Sequence, residues 1–339
     1  MKMGLVITFA VVVGAIIVVE SLLRSLYGFG NPLIYVGDEK IGYLLAPNQN
    51  TRRNGKRIEI NQYSMRSPQI QKELPSSTLR VLLLGDSIAN GGWWTDQKET
   101  ISSLMIQSLA NTSINSFSDE TVYTLDFKNI EVLNASANSW GPRNELAYLQ
   151  RFGTFSAQAL VLLINTDDLF ATKPTSLPVG RDKNYADKKP FLNLGLIEVY
   201  QRYIEKQKPI PELEKMQTET GDRVGVNLEA IRNIQAYANQ HKAKFLLAMT
   251  PLKRELGKNS RDYEITARRR LREFTEAQGI TYIDFLPLFE ASQNPKDLYH
   301  DHIHMNLQGN KFVNAIITEN LLKSLQEKSA DTNTPATSF

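Results

Sequence analysis

LRVLLLG, residues 79–85, is a nearly unbroken apolar run that ends in glycine and leads into Asp86-Ser87. A run without polar alternation predicts a strand buried on both faces, as in a parallel sheet covered by helices. Four more stretches have this character: NIEVLN (129–134), ALVLLIN (159–165), AKFLLAMT (243–250) and ITYIDF (280–285). Between them apolar residues recur at helical spacing, as at Leu228, Ile231 and Ile234 behind Asn227 as an expected N-cap, and at Val313, Ile316, Ile317 and Leu321. Strands alternating with helices predict βαβ units, hence an α/β fold whose central parallel sheet of about five strands lies between two helical layers. Ligands of open α/β sheets bind beyond the carboxyl ends of the strands.

Working outward, residues 3–19 carry no charge and as a helix span roughly 25 Å. Leu22 and Leu23 extend the run past Glu20, and the following ESLLRSLYG lacks the small-x-small pattern of a cleavage site. A transmembrane anchor over residues 1–27 is expected, with the bulk of the chain on the exterior or periplasmic side. Residues 28–79, rich in Asn, Gly, Pro and Arg, read as a neck or cap outside the core. The main domain is expected over residues 80–328, interrupted by a Pro-, Lys- and Asp-rich insertion at 171–226 above the strand ends. The polar residues 329–339 read as a disordered tail.

The composition narrows the chemistry. Of 339 residues 42% are hydrophobic, which excludes global disorder, and Lys+Arg 39 against Asp+Glu 36 is too balanced for a nucleic-acid binder. With Cys 0, thiol nucleophiles, disulfides and cysteine-held metals are excluded. Ser87 follows the strand at a point where free N–H groups of a helix start favour developing negative charge, although Gly-Asp-Ser is also ordinary turn sequence. YHDHIHMNLQG (299–309) holds three of the four histidines, His300, His302 and His304, beside Asp301. Asp301 and His304, three apart, can share one face of a turn, so that the carboxylate orients the imidazole as a base for a serine. His300 and His302 read as surface residues. The alternative for the cluster is zinc, which imidazole and carboxylate also bind; the reading adopted needs no metal and no cofactor.

Gly85-Asp86-Ser87, NASANSWG (134–141), Asn165-Thr166-Asp167-Asp168 and Asp301-x-x-His304 come in order, each near the end of an expected strand, and resemble the blocks of the SGNH/GDSL hydrolase family over about residues 80–325. IGYLLAPNQ and INQYSMR resemble the segment preceding this domain in membrane-anchored bacterial members. The resemblance implies a three-layer, flavodoxin-like fold and a Ser-His-Asp esterase, with Ser87 as nucleophile, His304 as base and Asp301 as its orienter. It implies an oxyanion hole made by the Ser87 N–H, a second-block backbone N–H and a third-block Asn side chain. Here the second-block Gly falls on Ser139, which still has an N–H to donate. The third-block Asn falls on Asp167, whose ionised carboxylate donates nothing. Protonation of Asp167, or Asn165 as substitute donor, would restore the missing hydrogen bond.

Trp93, Trp94 and Arg143 are the expected substrate contacts, the tryptophans for a sugar face or acyl pocket and Arg143 for an anionic group. Packing and a surface ion pair are their plainer alternatives. The function expected is hydrolysis of an ester, such as an acyl or acetyl group on a small-molecule or glycan component of the cell envelope. Two alternatives are acyl transfer to an envelope glycan and a weakly active glycan-binding protein, the latter because of Asp167.

Overall fold

The computed structural model describes residues 2–112, 127–257 and 259–331. In chain order its main elements are α1 (Lys2–Leu22), β1 (Tyr35–Asp38), β2 (Gly42–Leu45), β3 (Gln49–Arg53), β4 (Lys56–Ile60), β5 (Thr78–Gly85), α2 (Ser87–Asn90) and α3 (Ile101–Thr112). Next come β6 (Asn129–Ser136), α4 (Pro142–Phe152), β7 (Ala159–Asn165), α5 (Gly195–Tyr203), α6 (Pro211–Gln217) and α7 (Arg223–Gln240). The chain continues through β8 (Lys244–Thr250), α8 (Asp262–Gln278), β9 (Thr281–Asp284), α9 (Phe285–Glu290) and α10 (Leu307–Asp331).

The five expected strands form one parallel sheet in the order β6-β5-β7-β8-β9. All eight residues of β5 and all seven of β7 are buried, which accounts for their unbroken apolar sequence. Side chains alternate between two cores. Leu82, Leu84, Leu160 and Leu162 join α4, α7 and α8, whereas Val81, Leu83, Val161 and Leu163 join α3, α9 and α10. The chain leaves β5 for β6 on one side and reaches β7 on the other, so the strand order reverses at β5 and opens a crevice at the carboxyl ends of β5 and β7.

Three expectations change. Residues 28–79 are not a neck outside the core: they form two hairpins, β1-β2 and β3-β4, and bury Tyr35, Ile41, Tyr43, Leu44, Leu45, Ile58, Ile60 and Met65 against the α4–α7 side. Many of the segment's Asn, Gly and Arg residues, such as Asn48, Asn54, Gly55, Arg52 and Arg57, are exposed, which masks a short apolar alternation in RIEI. Asn227 is no N-cap. Asp222 caps α7 by accepting from the Gly225 N–H, and buried Asn227 donates to Leu169 O and Ala171 O. The expected disordered tail begins inside α10, and residues 332–339 lie outside the described residues.

One residue of the hairpin region ties it to the crevice. Arg66 is buried and donates to the carbonyls of Asn90 (2.7 Å), Gly92 (2.5 Å), Thr95 (2.6 Å) and Arg57 (3.3 Å), and through Nε to Gln97 Oε1 (3.3 Å). Burial lowers its pKa to about 10, which still leaves it charged at neutral pH. Five acceptors are thus held by one planar guanidinium. Arg66→Lys keeps the charge with three donors and is expected to destabilise the chain by roughly 2–4 kcal/mol. Denaturant unfolding checks this; a change below about 0.5 kcal/mol, the scale of an ordinary surface substitution, would refute the role.

Candidate active site

β5 ends at Gly85, where a Cβ would lie 2.5 Å from Leu163 O and 2.7 Å from the Ala89 Cβ, so only glycine lets β7 and the next turn approach this closely. Asp86 then caps α2 by accepting from the Ile88 N–H at 2.8 Å. Ser87 is the first residue of that single turn, which Gly91 ends at φ 77°. Its N–H therefore has no acceptor one turn back within the helix.

The C-terminal segment reaches the same edge. Ser87 Oγ lies 2.9 Å from His304 Nε2, and His304 Nδ1 lies 2.7 Å from Asp301 Oδ2. Asp301 Oδ1 accepts the N–H groups of Ile303 (2.9 Å) and His304 (2.8 Å), which fixes the carboxylate before the ring meets it. Burial pushes the Asp301 carboxyl up, but the hydrogen bonds from the His304 ring and these two N–H groups outweigh it and hold it at about 2. With Nδ1–H donating to that carboxylate, Nε2 is left as acceptor for the serine hydroxyl, the arrangement in which a base can remove the hydroxyl proton.

The tryptophans divide. Trp94 packs on His304 with ring centroids 4.0 Å apart and stacks on exposed His300 at 6.2 Å, so it supports the imidazole from its far side. Trp93 is 39% exposed and lines a neighbouring cleft. Neither lines the cavity that contains Ser87. That cavity, of about 520 Å³, is bounded by Asp86, Ser87, Ser139, Asn165 and Asp167, and by residues 171–175 and Pro178 of the insertion.

Ser139 takes a left-handed backbone with φ 59°. This explains why glycine suits the position, since a side chain there costs roughly 1 kcal/mol. Two tyrosines hold the turn: Tyr43 donates to Asn138 O at 2.5 Å, and Tyr185 Oη meets Ser139 Oγ at 3.0 Å. Asp167 is exposed in the cavity. Burial of part of the carboxyl raises its pKa, with Glu264 and Glu255 adding to the rise while Arg254 and His302 oppose it.

Two expected residues are engaged elsewhere. Asn165 Nδ2 donates to Asp86 Oδ2 (2.8 Å) and Asp168 Oδ2 (2.9 Å), so both amide hydrogens are committed and Asn165 is not a substitute oxyanion donor. Arg143 pairs with both oxygens of Glu219 at 2.9 Å and donates to Ala171 O, which makes it a brace for the insertion and not an anion site. The sequence reading also missed a group of buried carboxyls under the nucleophile. Burial pushes Asp86 up, with the Ile88 N–H and then His304, Asn165 and Ser87 opposing. Burial, then Asp86 and Glu145, pushes Asp168 well up, and burial pushes Glu145 well up. Asp86 and Asp168 belong to the first and third blocks, but nothing in the sequence marks them as buried, and nothing local distinguishes Glu145. Among the described residues no group of three or more His, Asp or Glu is arranged to hold a metal.

Comparison with solved structures gives distant likenesses. An acetyl xylan esterase, AlAXEase, is 14% identical with a TM-score of 0.46, covering 72% of this chain and all of that one. A lipase/acylhydrolase from Enterococcus faecalis is 13% identical with a TM-score of 0.43, covering 72% of this chain and 96% of that one. TesA is 17% identical with a TM-score of 0.42, covering 72% and 99%. A search of curated proteins finds no match. The family model described as GDSL-like Lipase/Acylhydrolase matches residues 83–312, about two thirds of the chain, from within β5 to within α10. The chain therefore belongs to the GDSL-like lipase/acylhydrolase family and is a hydrolase of ester bonds.

Proposed function

We propose that this hydrolase is a membrane-anchored serine esterase that removes an acyl or acetyl group from a cell-envelope molecule, with Ser87 as nucleophile, His304 as general base and acid, and Asp301 as orienter. One observation carries the reading: Ser87 Oγ, His304 Nε2, His304 Nδ1 and Asp301 Oδ2 lie in sequence at 2.9 and 2.7 Å. The anchor is supported by the apolar helical stretch Met3–Tyr27, none of whose apolar window is buried, long enough to cross a bilayer.

In the first step Ser87 Oγ forms a bond to the ester carbonyl carbon as its proton passes to His304 Nε2. The imidazolium, stabilised by Asp301, then protonates the leaving alkoxide as the C–O bond breaks. In the second step water attacks the acyl-serine, His304 takes the water proton, and the Ser87 oxygen leaves with that proton as the acid is released. The backbone N–H groups of Ser87 and Ser139 would hold the oxyanion. Asp167, at the place of the family's Asn, acts against it when ionised.

Ser87→Ala is expected to abolish both p-nitrophenyl acetate hydrolysis and fluorophosphonate labelling; full activity in this variant would overturn the assignment. Asp301→Asn should lower kcat by roughly 10³–10⁴-fold, because the imidazole loses its tautomer and orientation. Asp167→Asn should raise kcat/KM by roughly 10- to 100-fold at alkaline pH. The sign follows from the raised pKa: toward acid the wild-type carboxyl is neutral and can itself donate, so the ratio of variant to wild type should shrink as pH falls. A ratio of one at every pH would separate Asp167 from the reaction.

A further inference from the structure

Beside the esterase cavity lies a second, smaller cleft, of about 50 Å³ against 520 Å³, between β3, α5 and the rest of the insertion. Five cations line it, Arg53, Lys183, Lys188, Arg202 and Lys206, against one carboxylate, Glu198. Glu198 is already taken: it forms an ion pair with Arg53 and accepts the Gly30 N–H at 2.6 Å. Asp187, outside the lining, reaches Lys206 only at 4.0 Å. Arg202 donates to neutral acceptors, Lys183 O (3.1 Å) and Asn184 Oδ1 (2.9 Å), and Lys183 Nζ meets the neutral Gln207 Oε1 at 3.4 Å. The positive charge of the cleft therefore exceeds what its own carboxylates offset.

A second, independent observation concerns Arg53. This residue is nine-tenths buried, its guanidinium lies over the Phe29 ring at 4.5 Å, and its Nη1 has no hydrogen-bond partner. A buried guanidinium donor left unmatched is unfavourable, and Arg53 is among the residues that line the cleft. A tetrahedral oxyanion ringed by arginines and lysines is the matching chemistry.

From these residues we infer that the cleft binds a phosphate group, and that its source is the headgroup of an anionic phospholipid. The source follows from position. Glu20, near the end of the apolar helix α1, accepts the N–H groups of Gly195 (2.7 Å) and Leu196 (3.0 Å), so α5, which carries Glu198 and Arg202, is fixed to the point where that helix ends. Phe191 and Leu192 before α5 are 71% and 70% exposed, and Tyr200 and Tyr203 along it and Ile204 just after it are exposed. Apolar and aromatic side chains beside lysines and arginines suit the headgroup level of a bilayer. The lipid source rests on the membrane reading of α1, whereas the phosphate site does not. Asn184 lines both this cleft and the esterase cavity, so the two adjoin.

The test uses the full chain in a neutral detergent, titrated calorimetrically with dihexanoyl phosphatidylglycerol, dihexanoyl phosphatidylcholine and inorganic phosphate. Phosphatidylglycerol should bind at least tenfold more tightly than phosphatidylcholine, and the double substitution Lys183→Glu/Lys188→Glu should weaken it at least tenfold while p-nitrophenyl acetate hydrolysis stays intact as the sign of correct folding. Arg53→Gln should also lose binding, but it strands Glu198, so the lysine variant decides. Equal affinity for the two lipids, or no effect of the lysine substitutions, would overturn the proposal. Inorganic phosphate binding as tightly as phosphatidylglycerol would support the site and overturn its lipid source. Flotation of the full chain with phosphatidylcholine vesicles reads the anchor separately: a chain that fails to float removes the lipid source, and the phosphate titration still judges the cleft.

Discussion

Strand β5 has no residue that faces water. Its side chains must be covered on both faces and its backbone paired on both edges, and the remainder of the domain meets that demand. β6 and β7 pair with it, helices cover one face, and helices together with the two N-terminal hairpins cover the other. The Arg66 N–H bonds Asn134 O and the Ser67 hydroxyl accepts the Asn134 N–H, so the same segment also closes part of the outer edge of β6. A strand so enclosed can place polar chemistry only at its ends, and Gly85-Asp86-Ser87 is where this one emerges.

The polar groups at that emergence are buried like the apolar ones behind them. Asp86, Asn165 and Asp168 form a chain in which one amide serves two carboxyls, and Glu145 lies buried with neither oxygen hydrogen-bonded. Burial pushes all three acids up, and at Asp86 the hydrogen bonds and His304 oppose it. Asp167 differs because it is exposed, whereas Asp86, Asp168 and Glu145 are buried.

The hairpins and the insertion, outside the five-strand unit, set what surrounds the serine. Tyr185 of the insertion packs on Tyr35 and Tyr43 of the hairpins with ring centroids 5.0 Å from each, and two of these tyrosines hold the Asn138-Ser139 turn. Arg143 fastens the opposite end of the insertion through Glu219. Segments distant in sequence therefore form one wall of the esterase cavity on one side and the cationic cleft on the other.

The five strands and the covering helices were legible in the sequence because each is a local consequence of burial: a strand enclosed on both faces must be apolar throughout, and an amphipathic helix must repeat every three to four residues; Ser87, Asp301 and His304 stood out only through the spelling and order of short blocks. Partner choice has no such local mark. Ser87 and His304 are 217 residues apart and meet only because both segments end at one sheet edge. Asn165, Arg143 and Asn227 carried the right chemistry for the roles expected of them, and the fold employs each elsewhere, since a donor bonds whichever acceptor packing brings within about 3 Å. Arg66, Glu145 and the cleft assembled from positions 53, 183, 188, 202 and 206 leave no periodic trace at all, because their significance lies in burial and charge that exist only once the chain has folded.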